Sequence, residues 1–191
     1  MQIGVLALQG DFIEHSHVLQ SLGVTPRLVK LPEHLAGLKG LIIPGGESTT
    51  IGKLAYTFGL IEPLRQFGKE QAVWGTCAGA ILLSKDVNRA QPLLNLMDII
   101  VERNAFGRQV DSFEIDLAAP FFNDGNPTPY HAVFIRAPII QSVGGRAKTL
   151  LELPDGRIVA AQQEKLLATS FHPELTSDVR FHQYFLELAR S

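Results

Sequence analysis

Ala72-Val73-Trp74-Gly75-Thr76-Cys77-Ala78-Gly79-Ala80-Ile81-Leu82-Leu83 sets the only cysteine of the chain between two apolar runs, with a glycine two residues away on each side. Ala72 to Trp74 reads as the end of a short buried strand, Gly75 and Gly79 permit a tight turn and close backbone packing, and Ala80 to Leu83 begins an apolar helix. Cys77 then lies at a helix N-terminus, where the macrodipole and free backbone N–H groups favour the thiolate, the reactive form of cysteine. Gly75-x-Cys77-x-Gly79 also has the form of a nucleophile elbow, the sharp strand-to-helix turn usually met as Gly-x-Ser-x-Gly. A lone cysteine among apolar residues is more often a buried small hydrophobe, so the pentapeptide by itself leaves both readings open.

The segments around it alternate strand and helix. Ile3 to Leu8 is a nearly continuous apolar run, as expected of a parallel strand covered on both faces. Asp11 and Glu14 have the form of an acidic capping box for a helix that carries His15, Leu19 and Leu22 and stops at Gly23. Val24 to Val29 is a second strand. Gly40 to Ile43 is a third, ending at Pro44-Gly45-Gly46-Glu47-Ser48, after which Ser48 can cap a helix to about Tyr56; a short helix follows over Ile61 to Phe67. This order predicts an α/β fold of three layers on an open, mostly parallel sheet. Ligands of such sheets bind at the carboxyl ends of the strands, so Gln9-Gly10, Gly45-Gly46 and Thr76-Cys77 are expected on one edge.

The second half changes character. Shorter strands are expected at 97–102, 112–117, 131–135, 139–142, 149–153 and 157–162, with Pro154-Asp155-Gly156 as a hairpin turn. They suggest an antiparallel extension, rejoined by a strand over Leu166 to Phe171. Phe122 to Pro129 is the most loop-like stretch, and Thr176 to Arg190 closes the chain as an amphipathic helix with Val179, Phe181, Tyr184, Phe185 and Leu188 on or near its buried face.

Composition narrows the class of function. A chain of 191 residues with 46% apolar content fits a single domain, 1–191, with one core. Seventeen basic and nineteen acidic residues, with no basic run, give no footprint for nucleic acid or an anionic membrane. No apolar run is long enough to span a bilayer, and one cysteine cannot form an intrachain disulfide; a soluble cytoplasmic protein is expected. Its partners are then small molecules or other proteins.

A nucleophilic cysteine needs a base, and of six histidines only His172 comes with an obvious orienting group. In Ser170-Phe171-His172-Pro173-Glu174, an extended backbone locked by Pro173 would aim His172 and Glu174 to the same face, the arrangement of base and carboxylate in a triad. The same pair also fits an ordinary strand edge. His15 and His17, two apart on a helix, do not face each other, and no metal site is expected. Backbone N–H groups of Ala78 and Gly46 are the candidate donors of an oxyanion hole.

Taken together, the elbow, Pro44-Gly45-Gly46 and His172-Pro173-Glu174 resemble the class I, triad-type glutamine amidotransferases, whose fold is flavodoxin-like. Within that class the chain is similar to the glutaminase subunits of pyridoxal 5′-phosphate synthases. The blocks that carry this likeness are 8–11 with 14–15, 44–50, 75–79, Val101 to Gln109, 134–138 and 170–176.

The resemblance implies that Cys77 is the nucleophile, His172 the general base and acid, and Glu174 its orienter, in hydrolysis of L-glutamine to L-glutamate and ammonia through a thioester. It implies glutamine binding by Gly46, Glu47, Ser48, Arg103, Ile135 and Arg136, an Arg pairing with the α-carboxylate and Glu47 with the ammonium. It implies no cofactor, and as partner a barrel-shaped pyridoxal 5′-phosphate synthase subunit that receives the ammonia, in a hetero-oligomer of twelve plus twelve subunits. Weak activity until the synthase docks near Gln9-Gly10 and Gly46 is also implied. Three other readings remain at this point: a subunit serving another ammonia acceptor such as the histidine-pathway cyclase, a non-catalytic binding subunit, and a peptidase-like cysteine hydrolase.

Overall fold

A computed structural model of the chain describes residues 1–88, 90–103, 112–122, 125 and 127–191. Four short apolar runs near the N-terminus form adjacent parallel strands: β1 (Ile3–Leu6), β2 (Arg27–Val29), β3 (Gly40–Ile43) and β4 (Ala72–Thr76), in the order β2-β1-β3-β4. Registers such as Leu41 beside Val73 and Ile42 beside Trp74 put alternate residues on opposite faces. Leu6, Leu41, Ile43 and Val73 face one core, with residues of α2 (Ser48–Thr57), α3 (Ile61–Glu70) and α4 (Ala78–Leu83). Ile3, Val5, Ile42 and Trp74 face the other, with Leu19 of α1 (Phe12–Ser21) and Phe181 and Phe185 of α5 (Arg180–Arg190). The two-sided burial is why these strands read as continuous apolar runs, and it yields the three layers expected.

Beyond β4 the remaining strands are β5 (Ser84–Asp86), β6 (Met97–Glu102), β7 (Ser112–Leu117), β8 (Tyr130–Ile135), β9 (Ile139–Val143), β10 (Lys148–Glu152), β11 (Ile158–Gln163) and β12 (Leu166–Thr169). The sheet continues β4-β12-β11-β9-β6-β5, with β10 paired to β11. β12 is parallel to β4 and antiparallel to β11, so it joins the parallel half to the antiparallel extension.

Several local expectations are corrected. β7 and β8 do not join the extension; they pair with each other as a separate two-stranded sheet, because Tyr130, Ala132 and Phe134 of β8 pack into the α5-side core. Ser84 to Asp86 forms a strand that was not expected. β1 stops at Leu6, β2 begins only at Arg27, and β12 stops at Thr169. The final helix begins at Arg180 rather than Thr176, since Asp178 and Arg180 form an ion pair and Arg180 also donates to the Thr128 and Pro129 carbonyls. Expectations for Asn104 to Gln109, Asn123, Asp124 and Asn126 lie outside the described residues. Among the described residues no helix is long and apolar enough to cross a membrane.

Close backbone packing at the elbow controls how β3, β4 and α4 meet. A Cβ on Gly79 would lie 2.0 Å from the Ile43 carbonyl oxygen, far inside van der Waals contact. Gly79→Ala is therefore expected to force α4 off β3 and to cost about 2–3 kcal/mol, as overpacking of a tight core does. Urea unfolding checks this; a midpoint unchanged from the parent would mean that the elbow yields freely.

Candidate active site

Cys77 is the residue at which β4 turns into α4. Its φ of 48° and ψ of −104° lie in a region that non-glycine residues rarely adopt, and a strained nucleophile turn of this kind is where such geometry recurs. The backbone N–H of Cys77 donates to the Thr169 carbonyl at 2.8 Å, so the end of β12 holds the elbow from its other side. The side chain is nearly buried but lines a cleft of about 380 Å³ at the carboxyl ends of the parallel strands.

β12 also delivers the imidazole. Past Thr169 the chain runs through Phe171 to His172, whose backbone N–H donates to the Val133 carbonyl of β8. Residues Pro173–Leu175 then form a 3-10 turn, not the extended segment expected; Pro173 starts the turn, and Glu174 returns beneath the ring. His172 Nδ1 lies 2.7 Å from Glu174 Oε1, and the Cys77 thiol is close enough to the ring to act on its charge. Cys77, His172 and Glu174 thus stand in one buried series.

Asp11 adds a fourth member. The expected Asp11 capping bond to α1 is absent; the carboxylate instead points into the cleft, with Oδ2 3.4 Å from His172 Nδ1. Burial works against charge on the His172 ring, but hydrogen bonds with Asp11, Cys77 and Glu174 outweigh it and push the imidazole up to about 12. Burial pushes the Glu174 carboxyl up from its ordinary value, and the His172 ring opposes that. Ligand-type atoms of Asp11, His172 and Glu174 lie within 4.8 Å of one another. His172 Nδ1, the atom a metal would need, is already committed to Glu174, so the cluster is suited to holding a proton.

The glycine turn after β3 faces this group. The Gly45 carbonyl accepts from the Asp11 N–H at 3.1 Å, and a Cβ on Gly10 would stand 1.8 Å from that oxygen, so only glycine allows the approach. The peptide is trans, so the Gly46 N–H faces away from Asp11. Gly46 lines the cleft with Ala78 and Cys77, and neither Gly46 nor Ala78 donates its backbone N–H to another described residue. Gln9 Oε1 accepts from the Glu47 N–H at 2.8 Å and keeps the turn in place.

Opposite charges occupy the far part of the cleft. Glu47, rather than Ser48, caps α2: its Oε2 accepts from the Thr50 N–H and from the hydroxyls of Thr49 and Thr50. Against the upward effect of its partial burial, these bonds bring the Glu47 carboxyl down to about 2. Its other oxygen pairs with Arg103 Nη2 at 2.8 Å. Gln91 Oε1 accepts from both Arg103 Nη1 and the Ser48 hydroxyl, fixing the orientation of the guanidinium. Ile135 and Arg136 complete the wall, Arg136 at the unusual φ of 43°. Every expected site residue lines this cleft except Glu174, which lies behind His172. Gln9 lies at the edge where it was expected, whereas Asp11 and Gln91 were not expected in the site; Asp11 is marked only by its position past a parallel strand, and Gln91 carries no sequence signal.

Known proteins resemble this chain along its whole length. A pyridoxal 5′-phosphate synthase subunit PdxT of Herpetosiphon aurantiacus is 59% identical over 193 residues, covering 98% of this chain and all of the relative. The Dehalococcoides mccartyi protein of the same name is 53% identical, covering 100% and 98%. A solved glutamine amidotransferase superposes with a TM-score of 0.92 at 50% identity over 99% of both chains. The likeness to a glutamine amidotransferase from Thermotoga maritima, TM-score 0.63 at 16% identity over 98% and 83%, concerns the fold alone. With residues 5–191 matching its profile and relatives above 50% identity along the whole length, the chain belongs to the SNO glutamine amidotransferase family.

Proposed function

We propose that this chain is one catalytic domain that hydrolyses L-glutamine to L-glutamate and ammonia, through Cys77, His172 and Glu174 and a thioester intermediate. The observation that carries the reading is a single cleft with the Cys77–His172 pair in one part and the Glu47–Arg103 ion pair in another. A free amino acid with a side-chain amide matches that distribution. Arg103 meets its α-carboxylate, Glu47 its ammonium, and Ser48, Ile135 and Arg136 enclose it.

His172 holds the proton of Cys77, and the thiolate attacks the side-chain carbonyl carbon of glutamine. The oxyanion forms against the N–H groups of Gly46 and Ala78. The intermediate collapses as His172 passes its proton to the departing nitrogen, releasing ammonia and leaving a thioester. Water then attacks that carbon while His172 takes its proton. The second oxyanion collapses, the proton returns to the thiolate and glutamate leaves.

The ammonia would pass to a pyridoxal 5′-phosphate synthase, a reading that the names of the relatives support, and the barrel-shaped subunit of that synthase would bind this chain in a twelve-plus-twelve assembly. Docking near Gln9, Gly10 and Gly46 would act on the oxyanion turn. A cytoplasmic location is part of the same reading.

Glutamate release by the purified chain is expected to be slow alone and to rise at least about tenfold with the synthase subunit, while Cys77→Ala abolishes it in both states without loss of fold. Full activity without the synthase would instead indicate an independent glutaminase, and appreciable turnover by Cys77→Ala would remove the nucleophile assignment.

Arg103→Met should raise the KM for glutamine about 10- to 100-fold, the worth of a charge-assisted pair, with a smaller change in kcat. Steady-state kinetics with the synthase present check this, and an unchanged KM would take Arg103 out of the binding site.

The pH dependence has a defined sign. A ring raised to about 12 keeps its proton as pH rises past neutrality and loses it only near that value. The alkaline limb of kcat/KM should therefore lie well above about pH 8. Asp11→Asn removes one of the carboxylates responsible and should lower that limb by about one unit or more, the usual effect of a neighbouring opposite charge. A limb that does not move would show that Glu174 alone holds the proton.

A further inference from the structure

Behind Glu174 lies a polar group that the proposed reaction does not use. His15, on α1, is fully buried, and its Nε2 stands 3.1 Å from Thr76 Oγ1 and 3.3 Å from Glu174 Oε2. Its other nitrogen, Nδ1, lies 3.0 Å from Nε2 of His182 on α5, which is also fully buried. Both rings pack edge-on to Trp74 of β4. Burial, with His182 and His172 nearby, lowers the pKa of His15 well below its ordinary value; burial lowers His182 to about 3. Both rings are therefore neutral at ordinary pH, and each must choose which nitrogen carries its one proton.

The surroundings decide that choice. Glu174 Oε2 and His182 Nδ1 are buried atoms with no hydrogen-bond partner, and the 3.3 Å approach of His15 Nε2 to that carboxylate oxygen is a polar contact. Were His15 protonated on Nδ1, it would donate to His182 Nε2. His182 would then carry its own proton on the partnerless Nδ1, and the lone pair of His15 Nε2, while accepting from the Thr76 hydroxyl, would also face the carboxylate oxygen. A buried N–H would go unused and two electron-rich atoms would oppose each other. With both rings protonated on Nε2, His182 donates to His15 Nδ1 and His15 donates to Thr76 Oγ1, with the donating nitrogen 3.3 Å from Glu174 Oε2; the His182 Nδ1 lone pair and the Thr76 hydroxyl proton are left bare. The second arrangement wins because it uses both ring N–H groups and avoids the opposition at Glu174.

We propose that His15 and His182 are positioning residues for the catalytic carboxylate: His182 fixes the tautomer of His15, and His15 Nε2–H holds the oxygen of Glu174 that His172 leaves free. Glu174 is then gripped at both oxygens, by His172 from the cleft side and by His15 from the core. The carboxylate cannot rotate away from the ring it orients, and the donor from His15 opposes the effect of burial on its charge. The inference rests on the glutaminase reading for its catalytic meaning, while the tautomers themselves do not.

The first test uses the unaltered full chain. Imidazole nitrogen NMR at neutral pH is expected to show His15 and His182 both as the Nε2–H tautomer; an Nδ1–H or a charged His15 would overturn the proposal. The second compares two substitutions of similar size. Gln at position 15 can set its amide nitrogen where Nε2 was, whereas Asn reaches only the Nδ1 position and keeps the contact with His182. With the synthase present, His15→Asn should lower kcat about tenfold or more with KM within about twofold, and His15→Gln should stay within about threefold of the parent. Alkylation of Cys77 by iodoacetamide should follow the same order, and it reads the site without glutamine because the chain has no other cysteine. Equal effects of Asn and Gln would reduce His15 to a packing residue and sink the proposal. Absence of glutamine hydrolysis in the parent would defeat the glutaminase reading instead, with the tautomers and alkylation rates still deciding this one.

Discussion

The close approach of Gly79 to the Ile43 carbonyl is the constraint on which the site depends. It sets the start of α4 directly over the end of β3, so the chain must reverse within the single residue Cys77. The thiol is then left at the rim of the sheet, next to the glycine turn that leaves β3. Strand order does the rest. Asp11, Gly46, Cys77 and His172 follow the ends of β1, β3, β4 and β12, which are consecutive neighbours in the sheet. Adjacent strands are about 4.8 Å apart, so four chain exits fall within roughly 14 Å. Groups separated by up to 161 residues in sequence meet because the four strands before them are parallel and end on one edge of the sheet.

Burying a carboxylate under this edge has a cost that the neighbourhood offsets in steps. Glu174 is nearly inaccessible, and an isolated ionised carboxylate there would take up a proton. The His172 ring supplies a bond to one oxygen and a positive charge when protonated. Asp11, half-exposed, adds negative charge from the solvent side. The imidazolium is thus favoured by two carboxylates of different burial. The buried one fixes the ring, and the accessible one adjusts the charge.

Much of this was legible in the chain, and what was not has a common cause. Apolar runs at 3–8, 40–43 and 72–74 announced a two-sided parallel sheet, and the glycines around Cys77 announced its turn. Asp11 and Ser48, by contrast, have the local chemistry of helix caps. Asp11 is drawn instead to an imidazole 161 residues away, and Ser48 is displaced by Glu47, whose carboxylate reaches the same N–H groups. His172 and Glu174 were paired correctly but for the wrong local reason, since their backbone turns where an extended run was expected. The β7–β8 pair alternates like any half-buried hairpin, and nothing in that alternation says whether it joins the main sheet. In each case the deciding partner is remote in sequence, where periodicity carries no information.

On the proposed reading, the Glu47–Arg103 pair would give the cleft a selectivity that depends on substrate charge. Without substrate the two side chains satisfy each other, and Gln91 and Ser48 hold the arginine in place. An amino acid entering on the glutaminase reading would exchange that one pair for two, ammonium to Glu47 and carboxylate to Arg103. A simple amide offers neither charge and gains nothing from opening the pair. A molecule with only one of the charges would separate Glu47 from Arg103 and leave one of them unmatched in a partly buried wall, at the penalty attached to such groups. The internal ion pair therefore acts against amides that are not free amino acids. It does so without touching the reacting carbonyl, which lets the Cys77 end of the cleft remain chemically unselective.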